Sequence, residues 1–476
     1  MSLLGKWKAM PDSAKSSIAF IISSFVLKGI SFITTPIFTR LMDTTQYGII
    51  ATYTSWVSII EVFALLGLTS AGVFNVGLSE YSDSRDQYIS SVLMLCNITT
   101  VLMFVVIAIC KVFLGEGFLL PNSLLLLMFV HFIFSPAQVF WITRHKYEFK
   151  YKLAFLQVVF SAVLSQVISI LLVKQATGGQ AASVKLWGTE IATLLFNIPL
   201  YVLLFKRGKT FLDVARWKQI LVFALPLIPH YLAQHVMSSA DRIMVAEMVS
   251  EADAGIYSVV ANISMVATIV WSAINGSLIV YTFENLKTKQ YKKINATATL
   301  LVLGYGVVCF AVCLIAPEIL AILAPPEYQV GIYAIPPIAG VAFLSALYNV
   351  FANIEFFYKK SKYITAATVV ATVINFVLNY LFIPKYSFIA ASYTTLFSYI
   401  VLVLMHYIGY RKSSEDRVYN AKNILIISVL TIVACEICNL LYASVPIRYA
   451  IMAVILLVLL IKHKSVIRMV KSLRAG

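Results

Sequence analysis

The sequence predicts an all-α, polytopic membrane protein of about fourteen transmembrane helices. Three observations carry that reading. The 476 residues are 60% hydrophobic and only 12% charged, about half the charged fraction of a soluble domain. The apolar residues come in runs as long as the roughly 20 residues that cross a hydrocarbon layer about 30 Å thick, with none of the short alternating segments of a transmembrane barrel. The basic residues collect in every second connection between the runs, the pattern that orients membrane helices.

The runs place spans near 16–41, 46–77, 88–113, 118–143, 153–174, 183–205, 219–246, 254–283, 294–316, 330–358, 362–383, 387–410, 422–442 and 446–462. With the N-terminus inside, 29 of the 37 Lys and Arg fall on the inner side, from Lys6, Lys8 and Lys15 at the start to Lys471 and Arg474 at the end. Six fall outside (Arg40, Lys111, Lys174, Lys185, Lys385 and Arg448), and two, Lys28 and Arg242, lie within spans. That bias puts both termini in the cytoplasm. It also accounts for the formal net charge of +16 as topology, with no nucleic-acid partner. The basic start runs directly into a full-length span, so no cleavable signal peptide is expected.

Span 1 is polar along one side. Ser24, Lys28, Ser31, Thr35 and Thr39 recur at three- and four-residue steps, which stacks them on one helical face. Lipid does not accept such a face, so it lines a cavity or a neighbouring helix. Lys28 lies near mid-bilayer, where a charge costs a few kcal/mol. It reads as a cavity cation, with a structural ion pair as the alternative. Span 2 adds Thr54, Ser58 and Glu61; Glu61 is either the partner of Lys28 or a proton-carrying group. Spans 3 to 6 hold His131, Pro136, Glu190 and Asn197, which read as structural. The basic connection from Arg144 to Lys152 meets anionic head groups.

Span 7 follows Gly208-Lys209-Thr210, which looks like the end of a phosphate-binding loop. The first glycine of that motif would fall at Leu203, so ATP hydrolysis is rejected. Pro226 and Pro229 remove backbone donors and open or bend the first turns. His230, Gln234, Ser238 and Asp241 then share a face, while Arg242 points about 100° away from Asp241. Span 8 carries Ser258, Asn262, Ser272 and Asn275; span 10 carries Tyr348, Asn349, Asn353 and Glu355; span 11 carries Asn375 and Asn379.

Two echoes run along the chain. Thr39-Arg40-Leu41-Met42 with Tyr47-Gly48 parallels Asp241-Arg242 with Gly255-Ile256-Tyr257, and Lys152, Ser165 and Ser169 stand 210 residues before Lys362, Asn375 and Asn379. They point to two six-span lobes, 1–210 and 211–412, followed by two additional helices and a basic cytoplasmic tail over 413–476. Internal repeats of this kind build many transporters, with the substrate site between the halves. The six cysteines all lie within spans, and Cys435-x-x-Cys438 sits in an apolar helix with no partner cluster, so packing is the reading rather than redox or metal chemistry. The sequence implies no cofactor, no metal site and no catalytic residues.

With these residues in view, the chain resembles a known family. Phe32-Ile33-Thr34-Thr35-Pro36 with Thr39-Arg40-Leu41-Met42 and Tyr47-Gly48, Ser239-Ala240-Asp241-Arg242 with Gly255-Ile256-Tyr257, and Asn375 to Asn379 running on to Pro384-Lys385-Tyr386 resemble the O-antigen and capsular polysaccharide flippases. These belong to the multidrug/oligosaccharidyl-lipid/polysaccharide exporter superfamily. The resemblance runs through both halves and leaves the last two spans weakly matched. It departs where the family has glycines after Pro384-Lys385-Tyr386: Ser387 and Ile389 stand there, which puts the packing at the start of span 12 in question.

The resemblance implies two six-helix lobes in a V-shaped arrangement around a cationic cavity. It implies a flippase that moves undecaprenyl-diphosphate-linked oligosaccharide repeat units from the inner to the outer leaflet of a bacterial cytoplasmic membrane by alternating access. Lys28, Arg40 and Arg242 resemble the family's functional cations by position. Ser31, Thr35, Gln234, Asn262, Asn349 and Asn353 are the expected polar lining, and Glu61, Asp241 and Glu355 the candidates for coupling to H+ or Na+. A polysaccharide polymerase and a chain-length regulator are the expected protein partners. Two rival readings stand beside it. A cation-coupled drug or metabolite antiporter of the same superfamily should carry carboxylates rather than Lys and Arg in its cavity. A polysaccharide polymerase or ligase should carry a large external loop, and this chain has none.

Overall fold

The computed structural model describes residues 11–115, 117–177, 179–414 and 416–474. Lys6 and Lys8 of the basic start lie outside the described residues, and the side chains of Lys462 and the basic positions after it are likewise not described. The described chain is helical throughout. The first half comprises α1 (Asp12–Leu41), α2 (Thr44–Ala64), α3 (Ala71–Glu80), α4 (Arg85–Leu114), α5 (Asn122–Tyr147), α6 (Tyr151–Val173), α7 (Ala181–Gly208), α8 (Val214–Ala224) and α9 (Ile228–Met248). The second comprises α10 (Glu251–Lys287), α11 (Tyr291–Leu314), α12 (Ala316–Leu323), α13 (Ile335–Phe357), α14 (Ser361–Ser413), α15 (Ala421–Leu441) and α16 (Val445–Arg474).

Twelve of these helical stretches are long and apolar enough to cross a membrane, and a shorter apolar helix covers Val445–Val458. The 53-residue α14 is broken at Ser387, where φ is 54° and ψ −147°, so it supplies two of the expected spans. The polytopic all-α reading therefore holds. Two spans are interrupted along their length. The run 46–77 is interrupted after Ala64 by Leu66 and Gly67, both at positive φ, and resumes as α3. The run 219–246 is interrupted by a 3-10 turn at Leu225–Leu227, as two prolines close together demand.

The chain packs as two compact units, Met1–Ser239 and Ala240–Gly476. In the first, Phe74 of α3 stacks on Phe140 of α5 with ring centroids 4.3 Å apart. Tyr88 of α4 is fully buried, and a methyl group added at Gly77 would overlap its ring. Helix α8 is held on α4 by Trp217, whose indole donates to the Ser91 carbonyl at 2.9 Å. Asp213 caps α8 through the Arg216 amide at 3.0 Å. Outside the spans, Glu148 accepts from Arg144 at 2.9 Å and Lys150 at 2.7 Å. Burial pushes its carboxyl up, but those two bonds and charges more than offset this and hold it below the ordinary carboxylate range.

The second unit has a continuous apolar core in which Tyr305, Phe343, Val350, Ile354 and Tyr410 are essentially inaccessible. Cys309, Cys313, Cys435 and Cys438 are thiols buried in that core. Arg448 of α16, counted with the outer-side cations in the sequence, is buried and donates to the Leu314 carbonyl at 2.7 Å and to Glu318 at 2.8 Å. Large apolar side chains cover the outward faces of both units, Phe113 at 82% and Leu440 at 80% exposure being extremes. That coat suits hydrocarbon rather than water.

Candidate functional site

Part of the polar face of α1, at Ser31 and Thr35, turns into a cavity of the first unit. Ser31, Thr34 and Thr35 of α1, Thr54 and Ser58 of α2, and His131 of α5 line a cavity of about 410 Å³. Gln166 of α6 and Lys185, Thr189 and Glu190 of α7 complete its polar lining. Thr35 satisfies its hydroxyl on the Ser31 carbonyl at 2.9 Å, the back-bonding that lets threonine sit in an apolar helix. His131 Nδ1 lies 2.9 Å from one oxygen of Glu190, and the other oxygen, also buried, has no hydrogen-bond partner among the described residues. The Lys185 ammonium sits 4.0 Å from the centroid of the Phe38 ring. Two residues read as structural, His131 and Glu190, and one counted with the outer-side cations, Lys185, thus converge on one cavity.

Lys28 stands one turn before Ser31 and is half-buried. Among the described residues no carboxylate lies within ion-pair distance of it; Glu61 instead accepts from Thr69 at 3.2 Å. The pairing of Lys28 with Glu61 offered by the sequence is therefore not formed. Arg40 is exposed and places its guanidinium on the Pro36 carbonyl at 2.9 Å. Twelve residues separate Lys28 from Arg40 along α1, about 18 Å at the helical rise, so they lie at different heights along the helix.

In the second unit the polar centre is Asp241, 4% exposed. Its Oδ1 accepts from Asn379 Nδ2 at 2.6 Å, and its Oδ2 from Thr395 Oγ1 at 2.7 Å and Tyr257 Oη at 2.9 Å. Thr394 donates to Asn379 Oδ1, and Asn375 donates to Thr395 at 3.0 Å. All three donors to the carboxylate are neutral. Arg242, on the next position of α9, donates to Ser258 at 3.1 Å. The sequence singles out Asp241, Tyr257, Asn375 and Asn379 without joining them, and Thr395 carries no signal; the Asn375–Asn379 pair, two amides four residues apart on one face of a membrane helix, is the clue that points to the network.

The remaining sequence-derived positions divide. Gln234 is exposed and Asn262 half-buried. Asn349 donates to the Ser345 carbonyl at 2.6 Å, and Asn353 to Asn275 at 3.3 Å. Glu355 is wholly buried and pairs with His406 at 2.6 Å. It lies in direct contact with Gly409, where only hydrogen leaves it room. A buried carboxylate with an imidazole partner is stabilised in place, and His406 carried no sequence signal beyond being a histidine in a span.

Comparison with known proteins adds three findings. Residues 13–285 match the family described as "Polysaccharide biosynthesis protein". A protein of the Lsg locus of Haemophilus influenzae is 29% identical over 157 residues, 33% of this chain; the matched part spans 39% of that relative, well under two thirds of its length. Among solved structures, the lipid II flippase MurJ in an inward closed conformation superposes with a TM-score of 0.64 at 13% identity, covering 94% of this chain and 100% of the other. An inward-facing multidrug resistance transporter of the MATE family superposes with a TM-score of 0.57 at 13% identity, covering 85% and 95%. At such identities the likeness is one of fold.

Proposed function

The chain belongs to the polysaccharide biosynthesis protein family, the match covering more than half its length, and from that premise we propose that it is a lipid-linked oligosaccharide flippase. It moves undecaprenyl-diphosphate-linked repeat units from the inner to the outer leaflet of the bacterial cytoplasmic membrane by alternating access. The repeat units then serve O-antigen, capsule or exopolysaccharide synthesis, beside a polymerase and a chain-length regulator. Both termini stay in the cytoplasm, and the protein catalyses no covalent step.

One observation carries the reading: a cavity lined by hydroxyls, an amide, an ammonium and a carboxylate lies within a unit whose outward faces are apolar. A sugar chain cannot cross hydrocarbon unaided, because each unsatisfied polar group costs several kcal/mol there. Hydroxyl and amide linings replace the lost water, and cations suit a diphosphate. Lys28, Arg40 and Arg242, which stand outside the lining of that cavity, are the substrate-binding cations of this proposal. Outward movement of an anion is favoured by an inside-negative potential, by about 2.3 kcal/mol per charge per 100 mV. Resetting the carrier uses H+ or Na+, and Asp241 is the favoured coupling group: a cation at its carboxylate would also find the Asn379, Asn375 and Thr395 oxygens within the same network.

The test is a deletion strain analysed for lipid-linked repeat units. Accumulation on the inner leaflet, reversed by the wild-type gene, is the expected result. Normal transfer to the outer leaflet in the deletion strain overturns the assignment.

A further inference from the structure

Lys185 and Glu190 lie on α7 about 7.5 Å apart along its axis, and both line the cavity of the first unit. Neither is fully satisfied by the protein. Among the described residues no carboxylate lies within ion-pair distance of the Lys185 ammonium, whose contacts are the ring faces of Phe38 and Tyr47, at 4.0 and 5.5 Å from their centroids. A cation resting on aromatic faces is held, but its N–H donors remain to be used. Glu190 gives one oxygen to His131, while its Oε1 is buried with no hydrogen-bond partner among the described residues. A buried acceptor left unmade costs free energy, and a ligand hydroxyl removes that cost.

We propose that this cavity binds a sugar bearing a carboxylate, the acidic residue of the repeat unit. Its carboxylate sits on Lys185, a ring hydroxyl donates to Glu190, and its apolar ring face lies against Phe38, Tyr47 and Tyr53. The volume of about 410 Å³ lies within the range of small-molecule sites. The charge balance selects the ligand class. The single ammonium of the lining neutralises one ligand carboxylate, whereas a diphosphate brings at least two negative charges to the same one ammonium, beside the carboxylate of Glu190.

The internal echo points the same way. At the offset of 210 residues, Ser165, Ser169 and Lys185 correspond to Asn375, Asn379 and Thr395. In the second unit those positions surround the carboxylate of Asp241. In the first, the position of Thr395 carries an ammonium instead, which supplies that centre with a cation for an anionic group of the ligand.

This inference rests on the flippase reading for its biological ligand, but its test does not. The purified full-length protein in lipid nanodiscs is titrated calorimetrically with glucuronic acid, glucose and inorganic pyrophosphate. Wild type should bind glucuronate at least tenfold more tightly than glucose and more tightly than pyrophosphate. Lys185→Gln should bring glucuronate to within twofold of glucose, Lys185→Arg should keep the preference, and Glu190→Ala, which removes the acceptor for the ring hydroxyl, should weaken glucose. Equal binding of the two sugars by wild type overturns the proposal, as does tighter pyrophosphate binding or an undiminished preference in Lys185→Gln. Because the wild-type comparison decides alone, a variant that fails to fold leaves the outcome readable. Glucuronate preference in a protein that moves no lipid-linked repeat unit would defeat the flippase reading and leave the site standing; the converse would defeat the site only.

Discussion

Replacing Asp241 with alanine removes the acceptor for three buried donors at once: Asn379 at 2.6 Å, Thr395 at 2.7 Å and Tyr257 at 2.9 Å. Side-chain hydrogen bonds between membrane helices average about 0.6 kcal/mol, with a maximum near 1.7. Three of them therefore give a loss of about 2–5 kcal/mol. Asparagine is the informative comparison. With its amide oxygen in the place of Oδ2 it still accepts from Thr395 and Tyr257, but its NH2 then faces the NH2 of Asn379. One bond of three is lost, so Asp241→Asn should cost about 0.6–1.7 kcal/mol, roughly a third of the alanine loss. The assay is reversible unfolding in mixed micelles titrated with dodecyl sulfate and followed by tryptophan fluorescence. Losses below about 0.5 kcal/mol for alanine, or equal losses for both variants, would refute a network centred on this carboxylate.

Four further outcomes are expected. Ser387 holds φ 54° and ψ −147°, a region that costs a residue with a Cβ about 1–3 kcal/mol, and its hydroxyl is buried without a partner among the described residues. Ser387→Gly should therefore raise the unfolding midpoint by an amount equivalent to about 1 kcal/mol or more, and a lowered midpoint would contradict the strain. Arg448→Ala strips two hydrogen bonds from the contact of α16 with Leu314 and Glu318 and should cost about 2 kcal/mol in the same titration. Glu148, held below the ordinary carboxylate range by Lys150 and Arg144 against its burial, stabilises the fold fully above its unfolded pKa of about 4.3. That contribution is lost as pH falls through the lower folded value, so the stability gap between wild type and Glu148→Gln should close as pH drops below about 4. Neutralising Lys28, Arg40 and Arg242 singly should abolish surface polysaccharide at unchanged protein level on immunoblots; wild-type output from all three would remove the cationic proposal.

How legible the site was depended on residue type. The α1 face of Ser31 and Thr35 was readable from helical spacing, because threonines every four residues in an apolar run leave few alternatives. Asp241 was readable because a carboxylate in a span is costly and rare. Lys185 was not. It lies near the start of its run, where a lysine that snorkels to head groups and one that turns into a cavity have the same local sequence. His131 and Glu190 sit on different helices, 59 residues apart, and nothing in either run announces the other. Lys28 and Glu61 show the reverse error: complementary charges on neighbouring spans invited a pair that the packing does not make.

Composition, run length and charge placement by themselves determined that the chain is a helical membrane protein, and short motifs placed it in its family. Both follow from interactions each residue makes with the bilayer and its own helix, which are local and additive along the chain. Only the tertiary structure decided which polar groups meet: Lys185 with the rings of Phe38 and Tyr47, Glu190 with His131, Asp241 with Asn379, Thr395 and Tyr257, Glu355 with His406. Those pairings turn on the rotation and depth of one helix against another. A shift of one residue rotates a side chain by 100° while leaving hydropathy and charge untouched.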